Sequence, residues 1–178
     1  MRKYKRPRES LFLLKSLLER IKSVELFIIG AVPEEPNMRK LASELSLKDH
    51  AIFKGRVSET ELSNIVASSW LNVHTSVTEG LGYSILEASA AGTPTVAYDV
   101  PGVRDAVENG QNGIKVKDAN RKVLADAAFS ILSDPEKWWS SSLEIAKKYS
   151  WDRTANVWET LIMELTVDRY KKKDPVKS

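Results

Sequence analysis

The stretch "TSVTEGLGYSILEASAAGTPTVAYD", residues 75–99, decides how this chain is read. It sets a short glycine-rich turn between two glutamates, Glu79 and Glu87, then a Gly-Thr-Pro stop and a β-branched run. Read forward, it is a strand end, a loop, a helix and a second strand. Gly80 and Gly82 lie in the loop, where backbone can approach a ligand with no Cβ in the way. The helix starts near Tyr83 or Ser84, so its unpaired N–H groups face the loop, with the positive end of the helix dipole behind them. Such a turn is a ready seat for a phosphate or diphosphate. A Gly-x-Gly alone is weak evidence, because many turns carry one.

The glutamates sharpen the reading. Carboxylates repel phosphate but accept well from paired hydroxyls, as on a ribose or a sugar ring. Diphosphate on the amides, with one acid on a ribose and the other on a sugar, uses all three features. The plainer alternative makes Glu79 a loop acid and Glu87 an exposed helix acid, and by composition that is the commoner case. Against it, Glu87 sits within "SILEASA", which reads as a half-buried face, and a buried acid needs a partner.

Outward from this stretch, strands and helices alternate. "SLFLLKSLLERIK", "MRKLASELSL" and "SETELSNIVASS" have helical spacing, the last opened by Ser58 with Glu61 three residues on. "VELFIIGA", "AIFKG", "WLNVHTS", "PTVAYD" and "GIKV" read as short strands. Helices are expected near 120–132, 135–148 and 151–168, with Trp138 and Trp139 half-buried and Trp151 packing the last helix onto the sheet. "NGQNG" reads as a turn, and "DVPGVRD" either as a turn or as a pocket wall with Gly102 near the ligand. Strands separated by helices predict βαβ units in a doubly wound parallel sheet, an α/β fold with ligands at the carboxyl ends of the strands. Such a domain ordinarily begins with a strand. Here the basic loop "MRKYKRPRES" runs straight into a helix, so the first strand is expected to be missing.

Composition excludes several chemistries. At 178 residues the chain is one domain by length, 42% hydrophobic and 29% charged. There is no cysteine, hence no disulfide, thiolate site or Cys nucleophile. The two histidines, His50 and His74, match no metal-binding spacing, and His74 reads as a strand-end residue. The net charge of +3 is spread among acids, which gives no sign of nucleic-acid binding. No apolar run is long enough to span a membrane, and no leader pattern is seen. The expected location is the cytoplasm, or the periphery of the inner membrane face.

"EGLGYSILEA", with seven residues between Glu79 and Glu87, resembles the Glu-(seven)-Glu signature of the family-4 (group 1) retaining glycosyltransferases, which have the GT-B fold. The likeness runs through "FKGRVSETELSNIVASSWLNVHTSVTEGLGYSILEASAAGTPTVAYDVPGVRDAVENGQNGIKV" to "YSWDRTANVWETLI", roughly residues 3–165. The resemblance implies a Rossmann-like carboxyl-terminal, donor-binding domain over 1–168 and a solvated basic tail over 169–178. It implies retaining transfer from a nucleoside-diphosphate sugar, such as GDP-mannose or a UDP-hexose, to a carbohydrate or lipid-linked hydroxyl, with no cofactor and no metal. An acceptor-binding amino-terminal domain would be missing or on another chain. A mannosyltransferase of polysaccharide biosynthesis fits the pattern.

By position, the resemblance gives Lys5 and Glu79 catalytic roles. Lys5 would neutralise the departing diphosphate and Glu79 would meet the donor sugar. Glu87 would hold the ribose, the amides of Gly80, Leu81 and Gly82 would cradle the diphosphate, and Arg56 and Val57 would line the base, with Tyr83 beside them. The family's arginine, about five residues before the lysine, falls ahead of Met1, unless Arg2 or Lys3 replaces it. The alternatives are a stand-alone nucleotide or nucleotide-sugar binding module without activity, and a sugar-nucleotide epimerase of the same fold.

Overall fold

A computed structural model of the chain describes residues 3–31 and 35–173, with side chains described within 4–31 and 35–166. A single 3-10 turn, Lys3–Lys5, leads into α1 (Pro7–Leu18) and then β1 (Leu26–Ile29). Pro7 at the first turn of α1 gives up no helical hydrogen bond. Next come α2 (Glu35–Glu44), β2 (Ala51–Gly55) and α3 (Glu59–Ser68). Ser58 caps α3, its hydroxyl accepting from the Glu61 N–H at 3.1 Å. Then follow β3 (Asn72–His74), α4 (Tyr83–Ala90), β4 (Thr95–Tyr98), α5 (Val103–Ala106) and β5 (Gly113–Val116). The chain closes with α6 (Arg121–Ser133), α7 (Trp139–Lys147) and α8 (Trp151–Lys173).

The strands are parallel, as the alternation requires, and the fold is Rossmann-like α/β. They nevertheless form two sheets. β1 pairs with β2, and β4 pairs with β3 on one side and β5 on the other. All four residues of β4 are buried, which fits a strand flanked on both edges and covered on both faces. β1 and β3 share no ladder, so each presents a free edge to the other.

Each sheet has its own core. One gathers around β4 with α4, α5 and α6, and includes Ile85, Val96, Tyr98 and Ile131. The other joins β1 to α2 and includes Ile28, Met38 and Leu41. Helix α1 serves both: Leu13 and Leu17 enter the first core, Leu11 and Leu14 the second. A polar clamp fixes α1 to the larger unit. Arg121 of α6 donates to both Glu9 oxygens, at 2.8 and 2.6 Å, and the buried Tyr98 hydroxyl donates to Glu9 at 3.0 Å.

The last helix departs from expectation. Every described side chain of α8 is exposed, and Trp151, at 82%, packs against neither core. Trp151, Trp158 and Leu165 recur every seven residues and so share one face, which lies outside the domain. The helix continues to Lys173 and takes in the first residues of the expected tail; 174–178 lie outside the described residues. Trp138 is buried and Trp139 is exposed. "VRDA" is helical rather than a plain turn. Among the described residues, no helix is long and apolar enough to cross a membrane.

Candidate functional site

Three connections meet beyond the carboxyl ends of β3 and β4. From β3 the chain passes through buried Thr75 and Ser76 to the loop 79–82. The Pro101–Gly102 turn beneath holds that loop. The Glu79 N–H donates to the Pro101 carbonyl at 3.0 Å, and a Cβ on Gly102 would stand 2.2 Å from the Glu79 carbonyl oxygen. Gly82, at φ +70°, has the left-handed conformation that turns the loop into α4, and its carbonyl accepts from Ile85 N–H at 2.8 Å. Among the described residues, the N–H groups of Gly80, Leu81 and Gly82 donate to no protein acceptor. They are free to meet an anion ahead of α4.

Glu79 is the hub. Its side chain is 10% exposed, and one carboxylate oxygen accepts from Lys5 Nζ at 2.5 Å and lies 3.1 Å from His74 Nε2. Burial pushes the Glu79 carboxyl up, but hydrogen bonds from Lys5 and Ser76 and the Lys5 charge outweigh it and hold it below its ordinary value. His74 is itself buried, and that burial, partly opposed by Glu79, pulls its pKa down. A neutral ring then donates from Nε2 to Glu79 and accepts at Nδ1 from Ser84, 3.4 Å away. The contacts run Ser84–His74–Glu79–Lys5 and tie α4, β3, the loop and the 3-10 turn together.

Arg6 keeps Lys5 in place. It has a left-handed backbone at φ 44° and donates to the carbonyls of Thr75 and Ser76 at 2.9 and 3.0 Å; its guanidinium also pairs with Asp118 and lies 5.0 Å from the centre of the Tyr98 ring. In return the Thr75 hydroxyl donates to the carbonyls of Lys5 and Arg6, and the Val77 N–H to that of Tyr4.

Glu87 corrects the expectation of a half-buried acid. Helix α4 buries Ile85, Leu86, Ala88 and Ser89, which leaves Glu87 exposed. It still lines a crevice. Ser84 and Glu87, one turn apart on the open face of α4, border a trough of about 820 Å³ that also touches Lys5 and His74. The structure therefore pairs Lys5 with Glu79, next to the 80–82 amides in the same loop, and sets Lys5 and Glu87 on the trough, whose lining includes neither Glu79 nor residues 80–82. Tyr83, the first residue of α4, is 66% exposed and lies outside the trough lining. Arg56, exposed, and Val57, half-buried, follow β2, beyond the trough lining. Arg2 lies outside the described residues, as does the Lys3 side chain.

Sequence reasoning read His74 only as a strand-end residue, which it is, and gave Ser84, Ser76 and Arg6 no role at the site. His74 stands five residues before Glu79, a spacing with no helical or strand logic across a loop; only the fold brings the two together. Gly102, read from its Pro-Gly pair as a turn or pocket-wall residue, lies directly against the Glu79–Gly80 backbone. Among the described residues, no group of three or more His, Asp or Glu side chains is placed to hold a metal ion.

Comparison with known proteins bears on this geometry. A family model described as "Glycosyl transferases group 1" matches residues 1–148. The poly(glycerol-phosphate) alpha-glucosyltransferase of Bacillus subtilis is 27% identical over 172 residues, 89% of this chain and 25% of that protein. A GDP-mannose-dependent alpha-(1-6)-phosphatidylinositol monomannoside mannosyltransferase of Mycobacterium tuberculosis is 30% identical over 159 residues, 85% of this chain and 40% of that protein. The chain thus spans a quarter to two-fifths of the length of these relatives. Among solved structures, the pneumococcal O-GlcNAc transferase GtfA, in complex with UDP and GlcNAc, matches with a TM-score of 0.82 at 20% identity, over 93% of this chain and 34% of that one. Anabaena HepE in complex with UDP-glucose matches with a TM-score of 0.75 at 24% identity, over 92% of this chain and 46% of that one. These structures support the fold.

Proposed function

The chain belongs to the group 1 glycosyl transferases, and on that premise we propose that it is the donor-binding half of a retaining enzyme. The observation that carries this reading is Lys5, which lines the trough together with Glu87 and pairs with Glu79, the acid next to the free amides of 80–82. The amides and Lys5 supply positive charge to the donor diphosphate. That charge grows as the bond between the sugar's anomeric carbon and the phosphate oxygen breaks, and fixed donors are most effective where charge develops. The acceptor oxygen bonds to the same carbon on the same face, and its proton passes to the leaving phosphate oxygen. No metal and no protein nucleophile is required in this scheme. Glu87 holds the ribose hydroxyls and Glu79 those of the donor sugar.

Lys5 must then exchange partners. In the structure it is paired with Glu79; with donor bound it turns to the diphosphate, and Glu79 turns to the sugar. His74 remains to hold Glu79. The relatives named for UDP- or GDP-linked chemistry support a nucleoside-diphosphate donor, and the short span of the chain supports an acceptor half supplied by further polypeptide. We place the enzyme in the cytoplasm or at the inner membrane face.

The test is calorimetry of the chain with UDP, GDP and inorganic diphosphate. Weak binding of a nucleoside diphosphate is expected. Glu87→Ala should weaken nucleotide binding more than inorganic diphosphate binding. Equal losses would remove the ribose role, and no heat from any nucleotide at millimolar concentration would overturn the donor-half reading.

A further inference from the structure

Lys5 and His74 meet the same oxygen of Glu79. Lys5 Nζ stands 2.5 Å from Oε1, and His74 Nε2 stands 3.1 Å from it. The three side chains differ in their access to solvent: Lys5 is 30% exposed, against 10% for Glu79 and 7% for His74. The cation is thus the member able to leave, while the acid and the ring stay behind. A carboxylate buried to that extent is costly once its cation has gone.

What the ring meets on each side decides whether it can replace the cation. The loop presents Glu79 and the 3-10 turn presents Lys5, and these are the charges that act on it. Helix α4 presents the Ser84 hydroxyl, 3.4 Å from Nδ1, with Glu87 one turn further along the trough. β4 presents Ala97, the register partner of His74. With Lys5 in place, a proton on the ring would set a second cation on one oxygen, and burial opposes it as well, so the ring is neutral. With Lys5 gone, Glu79 acts on the ring unshared. The ring can then hold a proton at Nδ1 without losing a partner, because a hydroxyl accepts as well as it donates: Ser84 turns a lone pair to Nδ1–H. Nε2 keeps its bond to Glu79 and becomes half of an ion pair there. His74 lines the trough beside Lys5, which gives the new proton a way in from solvent.

We infer that His74 is the positioning residue that replaces Lys5 at Glu79: as the diphosphate draws Lys5 away, a proton from solvent bonds to His74 Nδ1, and donor binding and proton uptake become one event. This rests on the donor-half reading, which sends Lys5 to the diphosphate. No bond other than that N–H forms. Glu79 exchanges an ammonium for an imidazolium, stays ionised, and is held in place to meet the sugar. The direction follows by linkage. The bound state holds one more proton than the free one, so affinity rises as pH falls, by up to about tenfold for each pH unit, until the free ring itself protonates. Fold stability runs the other way, because a ring buried neutral loses stability on acidification. A His74 that only packed would therefore weaken binding as pH falls, whereas a His74 that replaces Lys5 tightens it.

The test uses the 178-residue chain in two measurements. Imidazole nitrogen shifts are followed by NMR through a pH titration of the parent and of Lys5→Met, which leaves Glu79 without its cation and needs no ligand. His74 is expected to gain its Nδ1 proton at a clearly higher pH in Lys5→Met, with His50, bonded to the Val24 carbonyl, as the internal control. The same His74 midpoint in both proteins would overturn the proposal. Should Lys5→Met fail to fold, the His74 shifts are read instead in the parent with and without a saturating ester of the kind used next. The second measurement is calorimetry with the terminal methyl esters of UDP and GDP, whose diphosphate has no group that titrates near neutrality. In buffers of different ionisation enthalpy at about pH 7, the parent is expected to take up a substantial fraction of a proton as the ester binds, and His74→Gln none. Binding without uptake in the parent, or equal uptake in His74→Gln, would overturn the coupling and leave the donor-half reading standing. No heat from either ester would overturn the donor-half reading and the coupling with it.

Discussion

Gly102 lies so close to Glu79 that a side-chain carbon on it would meet the Glu79 carbonyl oxygen at 2.2 Å and that of Gly80 at 2.7 Å. Both neighbours are backbone, and neither can give way without moving the loop that carries the acid and the free amides. Gly102 also has φ +80°, a conformation that costs a non-glycine residue about 1–2 kcal/mol. Gly102→Ala is therefore expected to lower the melting temperature and to abolish detectable nucleotide binding. Gly80→Ala is the contrast: a Cβ there meets nothing within 4 Å, and the melting temperature should hold. Scanning calorimetry and nucleotide titration of the two variants check this. A Gly102→Ala protein with unchanged binding would show that the loop does not depend on the turn beneath it.

His74 makes stability depend on pH. Its folded-state pKa is depressed, mainly by burial, so the unfolded chain binds a proton more readily. Stability should then fall as pH drops through about 6.5, the ordinary histidine value, towards the depressed one. Glu79, also depressed, adds a second loss only below about 4.5, as its carboxyl protonates. The charged and polar groups facing the ring are Glu79, Lys5 and Ser84. His74→Gln keeps a donor for Glu79 but cannot titrate. Its melting temperature should vary less than that of the parent between pH 7 and 5. Parallel profiles would assign the pH dependence elsewhere.

Lys5→Met separates charge from bulk. With the ammonium removed, the buried Glu79 keeps Ser76 and His74 but loses its strongest stabilising partner, so its pKa should rise. Carboxyl carbon chemical shifts followed by NMR titration measure this. Affinity for inorganic diphosphate should drop in the same variant, and the drop should shrink at high salt, which screens the parent's advantage. A Glu79 titration unchanged in Lys5→Met would break the link between the two residues.

Much of the site was legible in residues 75–99, because glycine, helix start and carboxylate each have a local physical meaning. Loop 79–82, α4 and β4 came directly from that segment. What was hidden depends on distance in the fold. Nothing in the spacing of Lys5, His74 and Ser84 shows that they meet at Glu79. Glu87 was misread because apolar neighbours in a helix do not fix which side a residue faces; α4 buries the residues on both sides of it and leaves it at the trough. The strand pattern was read correctly, yet pattern alone could not show that β1 and β3 would stand apart. Trp151 was misplaced for a related reason: a large aromatic near a helix start says that a surface is apolar, not what covers it.

Glu9 tests the clamp between α1 and the larger core. Burial and the Glu9 carboxylate raise the Tyr98 hydroxyl pKa, while the hydrogen bond from Arg121 is foremost in lowering that of Glu9. Tyr98→Phe removes one of three donors to Glu9 and should cost about 0.5–1.5 kcal/mol in urea unfolding. Glu9→Ala should cost more, about 1–3 kcal/mol, since it leaves the Tyr98 hydroxyl buried without its acceptor. The double variant should be less destabilised than the two losses added together, because both remove the same bond. Strict additivity would mean that Tyr98 and Glu9 act separately despite their 3.0 Å contact.

Trp151→Ser gives the opposite expectation for a large aromatic. Removing a buried tryptophan typically costs several kcal/mol. At 82% exposure, Trp151 contributes no core packing within this chain, so the change should stay within about 0.5 kcal/mol. The same holds for Trp158, 60% exposed on the same face of α8. The double variant should unfold with the parent's midpoint and slope, and should be more soluble, because it loses an exposed apolar stripe. A clear loss of stability on Trp151→Ser would show that α8 folds back onto the domain in solution and covers the side chain that the structure leaves open.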